Sequence, residues 1–249
     1  MKLKTLIITS IGALTISIAN AGDSKGVVCP VEEPFGATLS AGYDSHYIFR
    51  GVDNGQNAIS VGLDYDLDLL PIPVTLGAHY INPTDGSLVN PTHSDELQLS
   101  AAVGQSFGSV DAWLGYTAYL FPENGGRTAG DSTNEIGVGA GTSVGIIDLN
   151  AGAYYDFDID GWYFQVSAGH TRELTDTISL ALSAGISYQI DYWSAGDDWN
   201  NVLLMAALPI ELTSKATLRP YVAATFALNA IDAWQDDQLF GGVSLSVDF

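Results

Sequence analysis

Acidic side chains at alternate positions are the residues of this sequence that could do chemistry, because such a row can attract cations. In the stretch ISVGLDYDLDL, residues 59 to 69, three aspartates alternate with apolar residues. Side chains two apart on a β-strand point to one face, so the carboxylates would lie opposite the apolar residues. The acidic residues that fall on such a polar face are Asp64, Asp66, Asp68, Asp111, Glu135, Asp148, Asp156 and Asp191.

Two interpretations of the acidic face stay open: a cation-attracting pore or binding vestibule, or a solvated wall with no role in transport. Basic partners are scarce, since the sequence has 8 Lys and Arg against 29 Asp and Glu. Crowded carboxylates that lack basic partners attract counter-ions. We therefore expect a preference for cations.

The four histidines show neither metal-ligand spacing nor a catalytic pairing. Ser45 and His46 are adjacent, so on a strand their side chains point to opposite faces. His79 could meet Ser100 only across neighbouring strands. We predict no catalytic residue, no metal site and no cofactor.

Alternation of apolar and polar residues extends over most of the chain and predicts strands, whereas the period of an amphipathic helix is hard to find. The alternating segments are 37–50, 58–69, 73–82, 96–107, 109–121, 133–144, 146–157, 161–172, 177–192, 200–212, 215–228 and 238–249. They are longer than most strands of soluble sheets and match strands that cross a membrane at a tilt. Pro209 and Pro220 interrupt two of the twelve segments, so ten strands is the alternative count.

The connections between these segments alternate in length. Most even-numbered segments are followed by a turn of a few residues, whereas PTDGSLVNPTHSD and PENGGRTAGDS are long and polar. Short turns on one side and longer loops on the other are typical of an up-and-down barrel in a bacterial outer membrane. We predict an all-β fold, a single closed antiparallel transmembrane barrel of about 12 strands, with both chain ends on the periplasmic side.

Aromatic residues crowd the loop-proximal ends of the segments, as in the girdle that such barrels place at the lipid–water boundary. They are Phe49, Tyr80, Phe121, Phe157, Trp162, Tyr192, Trp193, Trp199 and Trp234. The final segment alternates up to a terminal Phe249, which is typical of the strand that the outer-membrane assembly machinery recognises. We expect outer-membrane lipid, that machinery and small solutes as partners.

Residues 1–21 have the features of a cleaved export signal. Lys2 and Lys4 precede an apolar stretch at 6–18, and a small-x-small cleavage site ends at Ala21. We expect residues 22–35 to form a flexible periplasmic lead-in and 36–249 to form the barrel. After cleavage, six basic residues would face 29 acidic ones, a net charge of −23, which argues against nucleic acid as a partner.

The stretch from Gly42 to Leu67 resembles the Gcw_chp, or TorF-like, family of predicted bacterial outer-membrane proteins. That family has a strand ending Tyr-x-Phe-Arg-Gly, a short loop, then Ala and a strand ending Gly-x-Asp-Tyr. The matching residues here are Tyr47, Phe49, Arg50, Gly51, Ala58, Gly62, Asp64 and Tyr65. The loop VDNGQN departs from the family pattern, with Asn57 where Pro is common. The resemblance implies an outer-membrane barrel and names no cargo.

Two structural expectations concern Arg50 and the inward glycines. We expect Arg50 to pair with a carboxylate of the second segment. We expect large inward rings to pack over inward glycines, with Trp113, Tyr119 and Tyr154 over Gly115, Gly137, Gly139, Gly141 and Gly152.

The favoured function is a narrow porin-like channel for small cationic solutes. The alternatives are a non-conducting structural or adhesion barrel that binds partners through its loops and, least favoured, a lipid-modifying enzyme.

Overall fold

A computed structural model of the protein describes residues 36–67, 72–90, 94–122 and 132–249. Its strands are β1 (Ala37–Phe49), β2 (Val52–Leu67), β3 (Val74–Asp85), β4 (Glu96–Phe107), β5 (Val110–Leu120), β6 (Ser132–Val144), β7 (Ile147–Asp156), β8 (Gly161–Glu173), β9 (Ser179–Ile190), β10 (Asp197–Ala207), β11 (Ile210–Thr213), β12 (Ala216–Ala227) and β13 (Gln238–Asp248). Within these segments no helix is long and apolar enough to span a membrane. The predicted signal at 1–21, the lead-in at 22–35 and Asp68 lie outside the described residues.

The strands form one antiparallel sheet that closes on itself. Neighbouring strands pair in sequence order from β1 to β10, β13 pairs with both β1 and β12, and β12 pairs with β10. The short β11 continues β10 along the same partner, β12, after a break. There are therefore 12 strand positions around the barrel, and the predicted fold class and count of about 12 are confirmed.

The break between β10 and β11 falls at Pro209. The Leu208 N–H donates to the Pro220 carbonyl at 2.9 Å, and the Pro209 carbonyl accepts from the Ser179 N–H at 3.0 Å. Proline has no N–H for a ladder and is found at such interruptions. Pro209, one of the two prolines that suggested ten strands, thus marks a break between β10 and β11 within one of the twelve strand positions.

The outer surface of the wall is apolar and the inner surface is polar. On β2, Ile59, Val61 and Leu63 are 56%, 50% and 46% exposed. Ser60, between the first two, and Asp64, directly after Leu63, are buried. The same alternation continues around the barrel, as expected for a wall with lipid outside and an enclosed lumen inside.

The connection between β1 and β2 differs from the predicted loop at 51–57. β2 begins at Val52, so only Arg50 and Gly51 form the turn. Both have a positive φ, 51° and 84°, as a two-residue type I′ turn requires. The polar sequence VDNGQN resembles a loop, but its backbone extends the strand.

The end of this hairpin leaves the wall of the barrel. The ladder of β1 with β13 ends at Asp44, and the ladder of β2 with β3 begins at Gln56. Residues 45–55, here called the hairpin tip, lie beyond both ladders. Two successive tip residues, Tyr47 and Ile48, are both buried, so the tip is packed on both faces.

The packing partners of the hairpin tip place it inside the barrel. Ile48 lies in one apolar cluster, whose other buried members are Met205, Ala223 and Phe240 of β10, β12 and β13. Tyr47 packs in a second cluster with Ala58 and Ile81. Because these partners come from different sides of the wall, the tip folds into the lumen.

Candidate functional site: Arg50 and its aromatic box

The side chain of Arg50 extends from the hairpin tip to β6 on the other side of the lumen. Its Nη1 donates to Oε2 of Glu135, and its Nη2 donates to Oε1 at 2.6 Å. The two side chains are only 9% and 4% exposed. This is the two-pronged guanidinium–carboxylate geometry, which is stronger and more directional than a single charged contact.

The expected pairing of Arg50 with a carboxylate of β2 is wrong. The turn places Arg50 beyond the end of the β1–β2 ladder, where no β2 side chain stands opposite it, and the tip is turned away from the wall. The partner is 85 residues away in sequence. Alternation on one strand holds no information about this contact.

Aromatic rings surround the same guanidinium. The Cζ atom of Arg50 lies 4.5 Å from the ring centroid of Tyr154, 4.7 Å from Tyr163, 4.9 Å from Tyr192 and 5.0 Å from Phe49. Each distance is within the range of a cation–π interaction, which gains strength when water is excluded. We call the four rings and Glu135 the aromatic box.

Tyrosine hydroxyls complete the box around the carboxylate. The Tyr192 hydroxyl accepts from Arg50 and donates to Glu135 Oε2 at 3.2 Å. The Tyr119 hydroxyl lies 3.4 Å from Glu135 Oε1. Burial raises the pKa of Tyr192; the Arg50 charge opposes this shift, and the Glu135 charge reinforces it. The Tyr192 hydroxyl thus bridges the guanidinium and the carboxylate by hydrogen bonds.

Separate contacts hold the backbone of the turn. The Arg50 carbonyl accepts from Asn200 Nδ2 at 2.8 Å and from Trp193 Nε1 at 3.2 Å. A Cβ on Gly51 would lie 2.7 Å from Cγ of Asn201, so both the space and the φ of 84° require glycine there. These contacts also account for a positive φ at Arg50, which a long side chain rarely adopts.

Seven of the nine aromatic residues predicted as a girdle divide into two groups; of the other two, Phe121 is buried and the Tyr80 hydroxyl donates to Asp95 at 2.7 Å. Phe157, Trp162, Trp199 and Trp234 are 54%, 40%, 48% and 41% exposed, as a girdle requires. By contrast, Phe49, Tyr192 and Trp193 belong to the interior around Arg50. For these three the girdle interpretation is wrong, because the turn and the β9–β10 loop fold inward.

The predicted lumen carboxylates that the structure describes within strands each have a hydrogen-bond partner. Asp64 pairs with His79 Nε2 at 2.9 Å, Asp66 with Thr75 at 2.7 Å, Asp111 with Ser106 at 2.5 Å, Asp148 with Ser143 at 2.6 Å, and Asp156 with Thr133. Glu135 pairs with Arg50, as described above. Apart from Arg50 and His79, the partners are neutral hydroxyls, which satisfy the oxygens without cancelling the charge. The wall therefore stays acidic although its carboxylates are bonded.

Asp191 does not line the wall. It follows the end of β9, is exposed, and has a φ of 52°. Its Oδ1 accepts from the Gly196 N–H at 2.6 Å and closes the β9–β10 loop. The predicted inward position is wrong because the strand ends one residue earlier.

Three of the five glycines expected under large rings, Gly137, Gly139 and Gly152, lie there. The expectation is wrong for Gly141, where a Cβ would lie 2.5 Å from Asn150 Oδ1, and for Gly115, where the nearest atom would be at 3.5 Å. A Cβ on Gly139 would lie 2.5 Å from Nε1 of Trp113, and one on Gly137 would lie 2.8 Å from Cδ1 of Tyr154. Gly62 similarly lies under the ring of His79, where a Cβ would lie 2.4 Å from Nδ1. Tyr119 does not take part in this packing, because its hydroxyl lies against Glu135.

Two other predicted residues stand at the ends of strands. The Phe249 N–H donates to the Ala37 carbonyl at 2.9 Å and joins the last residue to β1. Tyr65 pairs in register with Ala37 on β1 and Leu76 on β3. Recognition of Phe249 by assembly machinery stays a prediction.

Among the described residues, no three Asp, Glu, His or Cys side chains lie together in a way that could hold a metal ion.

No protein-family model and no curated protein matches the chain. Solved structures do match it. The KdgM porin aligns at a TM-score of 0.55 and 6% identity, over 85% of this chain and 99% of that one. The COG4313 outer membrane channel from Pseudomonas putida F1 aligns at 0.53 and 14% identity, over 90% and 100%.

LpxR from Salmonella typhimurium aligns about as well, at a TM-score of 0.52 and 5% identity, over 85% of this chain and 100% of that one. The chain has the fold of an outer-membrane β-barrel. At such low identities the likeness extends to the fold alone. The resemblance to the Gcw_chp, or TorF-like, family stays a prediction.

Proposed function

We propose that the chain is a narrow porin-like channel of the bacterial outer membrane that passes small cations around its own hairpin tip. The observation that carries the proposal is a closed barrel with an acidic inner wall, entered by a tip that Arg50 fastens to Glu135. The tip narrows the lumen, and the carboxylates set the sign of the charge that enters.

A small cavity lies in the periplasmic half of the lumen, away from the tip. It is lined by Asp148, Gly169, Thr171, Ser183 and Arg219, among others. Several of these side chains are small, and the Ser143 hydroxyl donates to Asp148 Oδ1 at 2.6 Å. This region forms a vestibule, and the tip forms the constriction.

The acidic wall favours a solute whose charge is opposite to that of the sugar bound by one structural neighbour. One solved structure is described as the KdgM porin in complex with disordered oligogalacturonate. Each unit of that sugar carries a carboxylate, which a chain with a net charge of −21 would repel. We therefore propose small cations for this channel.

Ion selectivity tests the proposal. In a planar bilayer with a KCl gradient, the refolded protein should show a reversal potential of the sign expected for K⁺ over Cl⁻. Asp111→Asn combined with Asp148→Asn should lower the cation-to-anion permeability ratio, because two charges near the periplasmic mouth are lost. Asp160→Asn, at an exposed position of the β7–β8 turn where φ is 55°, is the matched control and should leave the ratio unchanged.

Anion selectivity of the unaltered protein would contradict cation transport. Absence of current at every voltage would contradict a channel and favour the non-conducting structural or adhesion barrel.

A hydrolytic function is the second candidate because of one arrangement. His79 Nε2 contacts Asp64 Oδ1 at 2.9 Å. A Cβ built on Gly62 would lie 2.4 Å from His79 Nδ1 and 2.6 Å from Ser40 Oγ, so the ring and the hydroxyl lie beside the same glycine. Ser, His and Asp are the groups of many hydrolases. Lipid ester hydrolysis that His79→Ala abolishes would favour this function over the channel.

A further inference from the structure

We infer that the aromatic box is a binding site for guanidinium-bearing solutes, which Arg50 occupies when no such solute is present. The role of this site in transport rests on the proposed channel function. Binding itself depends only on the box. The ligand class is therefore an alkylguanidinium or a free guanidino compound.

The contacts of Arg50 define that ligand class. Glu135 presents both oxygens to two nitrogens, and Tyr192 offers a further acceptor to Nη1. The rings of Tyr154 and Tyr163 lie within 4.7 Å of the central carbon. A primary ammonium ion has no planar pair of N–H groups and cannot make the two-pronged contact.

The side chain can leave the box while the turn stays in place. The Arg50 carbonyl is held by Asn200 and Trp193, and the Asp53 N–H donates to Gln235 Oε1 at 2.9 Å. None of these bonds involves the guanidinium. A solute could thus replace one side chain without unfolding the hairpin tip.

Arg50 competes with any such solute as a tethered ligand. A group on a short tether acts at an effective concentration on the order of millimolar. We therefore expect external guanidinium compounds to compete with Arg50 in roughly the millimolar range. The acidic wall raises their local concentration in the lumen.

Binding to Arg50→Ala in detergent micelles tests the inference, with ethylguanidinium as the probe. Trp193 lies 5.2 Å from the ring of Tyr192 and 6.2 Å from that of Phe49, so tryptophan fluorescence should report occupancy. We expect saturable binding to Arg50→Ala that is at least tenfold tighter than to the unaltered protein. Ethylammonium should bind at least tenfold more weakly than ethylguanidinium.

Two controls make the test specific. Arg50→Ala with Glu135→Gln should lose at least tenfold in affinity, because the two-pronged acceptor is gone. Arg219→Ala removes another arginine of the lumen and should not create a site. If Arg50→Ala does not refold, Arg50→Gln takes its place, since it keeps a polar side chain without the charge.

The inference would be overturned if neither variant binds ethylguanidinium saturably, if ethylammonium binds equally well, or if Glu135→Gln has no effect. These measurements need no membrane and no current. If the variants do not bind ethylguanidinium but the unaltered protein conducts, the binding site is rejected and the channel function stands. If they bind it but the unaltered protein does not conduct, the site stands and the channel function is rejected.

Discussion

Arg50 connects the hairpin tip to the wall through a buried ion pair. The stability that this pair contributes requires both partners. Removing one partner of a buried pair leaves an uncompensated charge, which typically costs more than the pair itself gains. Here the rings of Tyr154 and Tyr163 also lose the cation they face. The residue thus contributes through Coulomb attraction, hydrogen bonds and cation–π contacts together.

Arg50→Ala should lower the free energy of unfolding by about 3–5 kcal/mol, because Glu135 would stay buried without its partner. Urea titration of the refolded protein in micelles measures the change. Arg172→Ala, at an exposed position near the end of β8, should change the same quantity by less than about 0.5 kcal/mol. Equal effects of the two substitutions would contradict a central role for the ion pair.

Glycine under an aromatic ring is the second feature at the scale of single residues. Gly139→Ala should destabilise the barrel by about 1–3 kcal/mol, because its Cβ would lie 2.5 Å from Nε1 of Trp113. Gly115→Ala is the matched control, since its nearest atom would be at 3.5 Å, an ordinary contact distance. Thermal unfolding of both variants, followed by circular dichroism, should separate them, and a neutral Gly139→Ala would refute the packing.

The hairpin tip is the element that distinguishes this barrel from an empty one. Its polar groups are satisfied by distant parts of the chain, such as Ser87 Oγ, which donates to the Asp53 carbonyl at 2.7 Å. The tip lies beyond both ladders, so side-chain contacts hold it in the lumen, and such a region can open locally while the ladders of the wall stay folded. The tip should therefore respond to changes in the box more than the wall does.

Glu135→Gln should speed amide hydrogen exchange in residues 46–55 about tenfold or more, because a charged hydrogen-bonded contact to the tip is weakened. Exchange in β8, a strand of the wall, should stay slow. Mass spectrometry of peptides from the exchanged protein resolves both regions. Asp111→Asn, whose carboxylate bonds only Ser106 among the contacts shown, should leave the tip unchanged; faster tip exchange there would argue against a specific role for Glu135.

At the scale of strands, the sequence predicts much because its signal is local. Alternation along β2 and β5 reports which face is buried, and the length of the segments reports the membrane thickness. The tip could not be predicted in this way. Its polar residues look like a loop, and only contacts with Asn200, Gln235 and Glu135, all distant in sequence, decide where it lies.

For the whole molecule, the acidic wall was predictable and the basic contact inside it was not. The two-residue period of a strand predicts that Asp64, Asp66 and Asp148 face the lumen. The partner of Arg50 depends on how a closed barrel brings β6 opposite the hairpin of β1 and β2, which no single segment encodes. A rare basic residue at the tip of a hairpin, in a chain with 29 acidic ones, was the signal available in the sequence.

The central claim is that the hairpin tip narrows an otherwise conducting barrel, and single-channel conductance tests it most directly. Residues 47–55 would be replaced by Asn-Gly, which joins His46 to its ladder partner Gln56 through a tight turn and keeps the register of β1 and β2. The same replacement at Gly145 and Ile146, the turn between β6 and β7, is the control. We predict a conductance several times that of the unaltered protein for the shortened hairpin, still selective for cations, and no change for the control. Equal conductance of the shortened and unaltered proteins would contradict the account.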